Sequence, residues 1–453
     1  MKLRRVQLQN FRGFADLTLD LNEAPGGFTL LVGANGAGKS SVLDGVAVAL
    51  GAWLLSLRGG RTRHITREEM RLVKIEHDGV PSLEEAGTTA VNAEGVIDGE
   101  TLHWQRELRS RTGHTITSAQ RLQDIAKAKR ERIVANEVID LPVIAYYGTG
   151  RLWVQKRERE DRLKELGSIL QGYEACLEPA SDHKLLEAWM AWREEVRLQE
   201  IGRALEERLP IEEVRSPLLD AVAEAARSCV EGATRFYYSV NHKELRLDMK
   251  DGRTIPFSLL SDGYRNLLAV AADIAWRAAR LNPHYGADAA RRATGVVLID
   301  EIDLHLHPAW QRTVIGDLRR AFPNLQFLAS THSPQVIASA RPHWIRVLTG
   351  TIGPRPDRFT DLIPGLAGPA IHTYGRDTNS LLREVFGVGE RPEEAFQRIA
   401  EVESLLASND LAAARERIQR LERDWGSEDA MVRGLRWELH DAEVNNAQGP
   451  QRS

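Results

Sequence analysis

Apolar and polar positions change their spacing several times along the chain, and each change marks an element. Phe28 to Val32 is a short apolar run that predicts a buried strand. A glycine-rich turn, Gly33 to Ser40, separates it from Ser41 to Leu50, which predicts a helix. Val296 to Ile299 and Leu325 to Ala329 are two further apolar runs that predict buried strands. Residues 72 to 117 alternate in short stretches divided by glycine turns, the pattern of a β-rich segment. Residues 156 to 230 are charged and helical in spacing, with Trp189 and Trp192 on an amphipathic helix. No heptad survives three repeats there, so a compact helical insertion is expected rather than a coiled-coil arm. Asn266 to Arg280 predicts another helix, and helical spacing returns from Pro392 to Glu443. From Asn445 the tail is expected to be disordered.

Composition narrows the class. Sixty Lys and Arg stand against 64 Asp and Glu, a formal net charge of −4 in 453 residues. That balance excludes a globally basic nucleic-acid coat but allows a local basic patch. The two cysteines, Cys176 and Cys229, are far apart and lack a CxxC partner, so neither a disulfide framework nor a zinc site is expected. No apolar run follows the first residues, and no 18 uncharged apolar residues run together. A soluble, cytoplasmic protein with no membrane partner is the expectation.

Gly33-Ala34-Asn35-Gly36-Ala37-Gly38-Lys39-Ser40 matches GxxxxGK[ST] at every fixed position, between a predicted strand and a predicted helix. Its glycines let backbone N–H groups close around a triphosphate, and the helix N-terminus adds partial positive charge. Lys39 is placed to reach the β and γ phosphates and the Ser40 hydroxyl to ligate Mg²⁺. Further along, the apolar strand from Gly295 ends in Asp300-Glu301. Asp300 can hold Mg²⁺ and Glu301, turned differently, can polarise an attacking water. The strand from Leu325 ends in Thr331-His332-Ser333-Pro334, where His332 can hydrogen-bond a γ-phosphate. His305 and His307 alternate in an extended segment, but no third metal ligand lies near them in sequence. Ser261-Asp262-Gly263 precedes a helix and makes a second anion-binding end.

Taken together these residues resemble the ABC ATPases of the SMC/RecF branch, including the overcoming-lysogenisation group. Gly33 to Ser40 is similar to the Walker A loop, with Asn35, Gly36, Gly38, Lys39, Ser40 and Ser41 as the nucleotide-binding positions. Val296 to Glu301 is similar to Walker B, with Glu301 as the catalytic glutamate and Asp300, with Ser40, as the Mg²⁺ ligand. Leu260-Ser261-Asp262-Gly263-Tyr264 resembles the ABC signature, Asp303 lies in the D-loop and His332 matches the switch histidine. Asn10-Phe11-Arg12-Gly13-Phe14 is similar to the start of this branch, where the basic residue, here Arg12, lies near the nucleotide. Asp262 departs from the usual glycine, and Arg265 is a candidate to offset its charge. The Q-loop is not assigned; Val143 to Arg151, with Gln155 following, occupies its place, and packing of Tyr146 and Tyr147 in the core remains the alternative.

The resemblance implies an α/β fold: a P-loop ABC-ATPase head with a mixed sheet, a β-rich first lobe, a helical insertion and a C-terminal helical module. Expected boundaries are lobe 1 at 1–155, the insertion at 156–235, lobe 2 at 236–365, the helical module at 366–444 and the tail at 445–453. It also implies ATP and Mg²⁺ as cofactors, hydrolysis of ATP to ADP and phosphate, possible slow turnover of a regulatory kind, and a head-to-head homodimer or higher oligomer. That dimer holds two ATPs between Walker A of one subunit and the signature of the other.

A narrower resemblance rests on Tyr146 to Trp153, Leu260 to Arg265 and Tyr374 to Ser380. These look like the ATPase subunits of Septu-type anti-phage defence, some of which accompany retrons and whose partner is a small, separately encoded HNH nuclease. No nuclease site is expected in this chain, and its C-terminal helices either dock a partner or pack onto the ATPase. The alternative function is a RecF-like repair or recombination ATPase that clamps DNA without a nuclease. A scaffold that binds ATP for assembly is a third. Two basic clusters, Arg106 to Arg111 and Lys127 to Arg132, are candidate DNA or RNA contacts or solvated faces.

Overall fold

A computed structural model of the chain describes all residues except 22–23, 25, 58–60, 78–79, 110–113, 151–167, 180–182, 212–213, 349–362, 365–373, 379, 382–390 and 449–453. It divides into two compact units, Met1–Leu381 and Leu382–Ser453.

The first unit is built on two sheets with a helix between them. One sheet holds β3 (Phe28–Gly33), β9 (Val143–Tyr147), β13 (Gly295–Ile299), β14 (Leu325–Thr331), β15 (Ile345–Leu348) and β16 (Ile363–Pro364), in the order β16-β15-β3-β14-β13-β9. All its pairings are parallel except β15 with β16. Every residue of β3, β9, β13 and β14 is buried, which is why these strands lack alternation. Pairing Thr331 with Val32, and Ile299 with both Ala329 and Tyr147, brings the carboxyl ends of four strands to one edge. That edge is where an open α/β sheet offers its ligand crevice.

The second sheet is antiparallel: β1 (Lys2–Phe11), β2 (Phe14–Asp20), β6 (Thr89–Ile97), β7 (Glu100–Leu108) and β8 (Thr115–Ser118), in the order β2-β1-β6-β7-β8. A hairpin of β4 (Leu72–His77) and β5 (Val80–Glu85) completes the expected β-rich stretch. Helix α1 (Lys39–Leu54) contacts β1, β6 and β7 of this sheet and β3, β13 and β14 of the other. It is buried on nearly all sides. Gly45 permits the approach, because a Cβ there would lie 2.4 Å from the Leu8 side chain.

Strand β7 points Leu102, Trp104, Arg106 and Leu108 inward with a strict period of two. Arg106 is therefore wholly buried (0% exposed), and its Nη1 donates to Val48 O (3.0 Å), Thr62 Oγ1 (3.0 Å) and Arg63 O (2.5 Å). Burial draws its pKa down to about 10. Arg109 pairs with Glu107 at 2.7 Å, while residues 110 and 111 of that cluster lie outside the described residues. In α2 (Gln120–Val134), Lys129 pairs with Asp98 (2.8 Å), Arg132 with Glu137 (2.6 Å), and Arg130 donates to Ser56 O (3.1 Å). Of the described members, Arg106, Lys129 and Arg130 serve the fold, while Lys127, Arg109 and Arg132 stand on the surface in exposed ion pairs.

Of the expected insertion, residues 156–167 lie outside the described residues; α3 (His183–Glu206) and α4 (Pro217–Ser228) follow, with Trp189 fully buried and Trp192 half-buried. A small antiparallel sheet, β10 (Ala233–Ser239), β11 (Glu244–Met249) and β12 (Thr254–Pro256), leads into the long helix α5 (Asp262–Leu281). Helices α3, α4 and α5 contact one another. Both cysteines are free and buried, and burial pushes their thiols up to about 12, leaving them protonated and inert. The segment at Tyr374 is joined to the same unit by the Gly375 N–H, which donates to Ala338 O (2.9 Å). Among the described residues no helix is long and apolar enough to cross a membrane.

The second unit is a three-helix arrangement of Glu393–Ala407, Leu411–Trp425 and Ala430–Gln448. Val402, Ala414, Ile418, Leu421, Val432, Leu435 and Leu439 form its core. Gly426 at φ 88° ends the second helix, and the Asp410 side chain caps its start by accepting from Ala413 N (3.2 Å). The last helix continues over residues 445–448, which were expected to be disordered; their polar sequence holds no helix breaker before Gly449.

Replacing Arg106 by leucine removes the donor that Val48 O and Arg63 O share inside the fold. We expect a loss of about 3 kcal/mol in unfolding free energy from the denaturation midpoint. A loss below about 1 kcal/mol would show that the buried guanidinium is dispensable.

Candidate functional site

The phosphate loop begins where β3 ends. Gly36 (φ 78°) and Gly38 (φ 95°) turn the chain back so that α1 starts at Lys39. A Cβ on Gly38 would lie 2.5 Å from the Phe14 ring, so both backbone angle and space require glycine there. Asn35, Gly36 and Ser40 are exposed around the first turn of α1, whose start has no side-chain cap. Lys39 is buried and its Nζ donates to Gly33 O (2.9 Å) and Ala34 O (3.0 Å) of the loop itself.

Arg12 comes to the same helix from the β1–β2 corner. Its Nη1 pairs with Asp44 Oδ2 at 2.7 Å and lies 3.4 Å from Ser41 Oγ, while Nη2 pairs with Glu69 Oε1 at 3.1 Å. Arg63 interleaves, meeting Asp44 Oδ1 at 2.9 Å and Glu69 Oε1 at 2.8 Å. The Tyr146 hydroxyl donates to Asp44 Oδ1 (3.1 Å). Burial raises the Asp44 pKa, against the pull of Arg63 and Arg12. Sequence reasoning missed Asp44, Arg63 and Glu69. Asp44 had a signal, being the one charged residue in the run Val42 to Leu54.

Across the sheet edge, β13 delivers Asp300 and Glu301. Asp300 N–H donates to Tyr147 O (2.8 Å), and the Ser330 hydroxyl donates to Asp300 Oδ1 (2.5 Å) while accepting from Glu301 N–H (2.8 Å). One serine of β14 thus orients both acidic positions, a role the sequence did not reveal. Glu301 adopts φ 48°, a left-handed conformation that costs about 1 kcal/mol or more for a residue with a Cβ and turns its side chain off the strand's alternation. Asp303 accepts a hydrogen bond from the Thr331 hydroxyl, one residue before His332.

Electrostatics tie these groups into one cluster. Burial lowers the Lys39 pKa to about 8, against support from the carboxylates of Asp300, Glu301 and Asp303. Burial, and then the Lys39 charge, lowers the His332 pKa, opposed by Asp303 and Asp300. Ser40 and Asp300 offer hard oxygen donors that suit Mg²⁺, and Lys39 with the open start of α1 suits a triphosphate.

Ser261 and Asp262 head α5 and are exposed, and Asp262 is ion-paired with Arg265. Gly263 is buried against the loop that follows Glu301: a Cβ there would lie 2.5 Å from His305 O. Asn266 Nδ2 donates to Leu304 O (2.9 Å), and the Tyr264 and Trp310 rings lie 4.0 Å apart. Within one chain the Ser261–Gly263 end of α5 therefore docks on the loop that follows Glu301. His305 contributes its carbonyl to that contact, and His307 Nδ1 accepts from Ala309 N–H (3.3 Å) as a helix cap. Arg151 and Gln155, near the unassigned Q-loop, lie outside the described residues.

A P-loop joined at one sheet edge to an Asp-Glu strand end and a histidine strand end is similar to the site of AAA and SMC-like ATPases. Residues 5–214 match the family model described as an AAA domain, and residues 181–338 match the AAA domain, putative AbiEii toxin, Type IV TA system. The chain is homologous to retron ATPases and to the Septu protein PtuA. It is 28% identical over 402 residues to the Retron Ec83 probable ATPase of Escherichia coli, covering 74% of this chain and 69% of that protein. It is 24% identical over 454 residues to the Retron Vc95 probable ATPase of Vibrio cholerae, covering 90% and 84%. Septu protein PtuA of Bacillus mycoides is 44% identical over 75 residues, 17% of this chain and 10% of that one. Among solved structures, the SMC head domain from Thermotoga maritima is 16% identical, with a TM-score of 0.40, covering 77% of this chain and 94% of that one.

Nucleotide binding should depend on pH through Lys39. Its pKa of about 8 leaves it mostly charged at pH 7, and a bound triphosphate would hold the proton more tightly. The Kd for ATP should be flat up to about pH 7.5, then rise up to about tenfold per pH unit above 8 as the free lysine loses its charge. Calorimetry at about pH 8.5 in buffers of different ionisation enthalpy should register proton uptake on binding. No uptake would mean that Lys39 is fully charged in the free protein.

Proposed function

We propose that this chain binds and hydrolyses ATP as the ATPase subunit of a bacterial anti-phage defence complex. Two copies close around two nucleotides, each held between the phosphate loop of one subunit and Ser261 to Gly263 of the other. The cycle regulates a separately encoded HNH nuclease. The observation that carries the ATPase reading is the single electrostatic cluster of Lys39, Asp300, Glu301, Asp303 and His332 at the sheet edge. Docking of the signature end on the chain's own D-loop, with Ser261 and Asp262 left exposed, supports presentation to a second subunit.

In this reading Lys39 exchanges its loop carbonyls for the β and γ phosphates. Ser40 and Asp300 would hold Mg²⁺, which would neutralise phosphate charge when bound. Glu301, fixed through its N–H on Ser330, takes a proton from the attacking water. His332 can donate to a γ-phosphate oxygen, and Arg12 supports the first turn of α1 beside Ser41. The long similarity to retron ATPases favours a defence role over a RecF-like repair clamp.

Glu301→Gln should keep ATP binding within about twofold of wild type while phosphate release falls by about 10²-fold or more. Equal turnover of the two proteins would remove Glu301 from this role. The tagged protein purified from its native operon should bring a nuclease-sized companion, seen as added mass on an ATPase dimer. Recovery alone, with dimers forming only on ATP and DNA together, would favour the repair clamp.

A further inference from the structure

Strand β9 ends in two consecutive buried tyrosines, Tyr146 and Tyr147, whose side chains leave opposite faces of the sheet. The Tyr146 hydroxyl reaches Asp44 of α1, as described. The Tyr147 hydroxyl goes the other way and donates to Asp273 Oδ2 of α5 at 2.6 Å. Asp273 also accepts from Arg277 Nε (2.8 Å), and Arg277 Nη1 donates to Gly172 O (2.8 Å) and Glu174 O (3.0 Å). Asp273 and Arg277 are both under one-tenth exposed, so this is an interior anchor.

Tyr147 is held at its other end by the nucleotide site. Its carbonyl accepts the Asp300 N–H (2.8 Å), the first bond of the turn that carries Asp300 and Glu301. One residue therefore joins that turn, through its backbone, to the signature helix, through its hydroxyl. Asp273 lies 11 residues beyond Asp262, three helical turns and about 16 Å along α5. The same helix is clamped near its start by Gly263 against His305 O. Two separated contacts therefore lead from α5 back to the loop after β13, in addition to the packing of α5 on α4 and α3.

We propose that Tyr147 is a positioning residue that sets the angle at which a subunit presents Ser261 to Gly263 to its partner, according to the state of its own nucleotide turn. The proposal rests on the sandwich reading above. Tyr147→Phe deletes the hydroxyl and keeps the ring and the carbonyl that holds Asp300. In the full chain carrying Glu301→Gln, it should leave the Kd for a fluorescent ATP analogue within about twofold. The ATP concentration for half-maximal self-association, read by light scattering, should rise about tenfold. Tyr146→Phe, an equally buried deletion on the other face, should not shift self-association relative to nucleotide affinity.

A general packing defect would lower thermal stability and move both measurements together in both variants, which would overturn the proposal. So would wild-type self-association in Tyr147→Phe. If the phenylalanine variant does not fold, Arg277→Lys loosens Asp273 from its other side and carries the same expectation. Failure of the Glu301→Gln parent to self-associate with ATP would instead sink the sandwich itself, a separate and recognisable outcome.

Discussion

Everything at the nucleotide site depends on a helix with no free face. Helix α1 is confined by the antiparallel sheet on one side and the parallel sheet on the other, so its axis cannot tilt without opening both cores. Its first turn, where Lys39 and Ser40 stand, inherits that rigidity. Gly45 brings Leu8 of the second sheet close, and Trp104 Nε1 donates to Ala49 O (2.9 Å) from β7. Such close packing at several points is how a fold holds a binding loop to the tolerance that phosphate recognition demands.

Around this helix the structure spends buried charge in closed circuits. Arg12, Arg63, Asp44 and Glu69 alternate in sign, and Asp273 with Arg277 forms a second such group behind the sheet. Desolvating ions is unfavourable unless each finds partners, and replacement by apolar residues can be neutral for stability. What a paired circuit contributes is a single geometry, because sliding α1 by one turn would part Asp44 from Arg12 and Arg63, and sliding α5 would part Asp273 from the Tyr147 hydroxyl and Arg277 from its carbonyls. Both circuits are closed by a tyrosine of β9, which makes the edge strand of the parallel sheet a structural junction.

The elements at this sheet edge could be read along the chain because each is contiguous: strand, glycine turn and helix for Phe28 to Leu54, apolar strand and acids for Gly295 to Glu301. What joins them could not. Ser330 acts on Asp300 and Glu301 from about 30 residues away, and Glu69 meets Arg12 from a short turn whose Thr66-x-x-Glu69 capping box marks a helix start and says nothing of Arg12. Arg106 was misjudged for a different reason. Its neighbours in sequence are charged, but the period of two through Leu102, Trp104 and Leu108 places it inside, and pattern outweighs charge where a strand has a buried face. The helices after Pro392 were legible as helices, while their common core around Ile418 and Leu435 is a matter of packing between them.

Lys39 satisfies its ammonium on the carbonyls of Gly33 and Ala34, its own loop. A loop that supplies an internal ligand of this kind is already ordered before any phosphate arrives. Entry of a nucleotide then becomes an exchange of one set of acceptors for another, with little conformational entropy left to lose. Discrimination shifts accordingly, from whether the loop can form to whether an incoming oxygen outcompetes a peptide carbonyl.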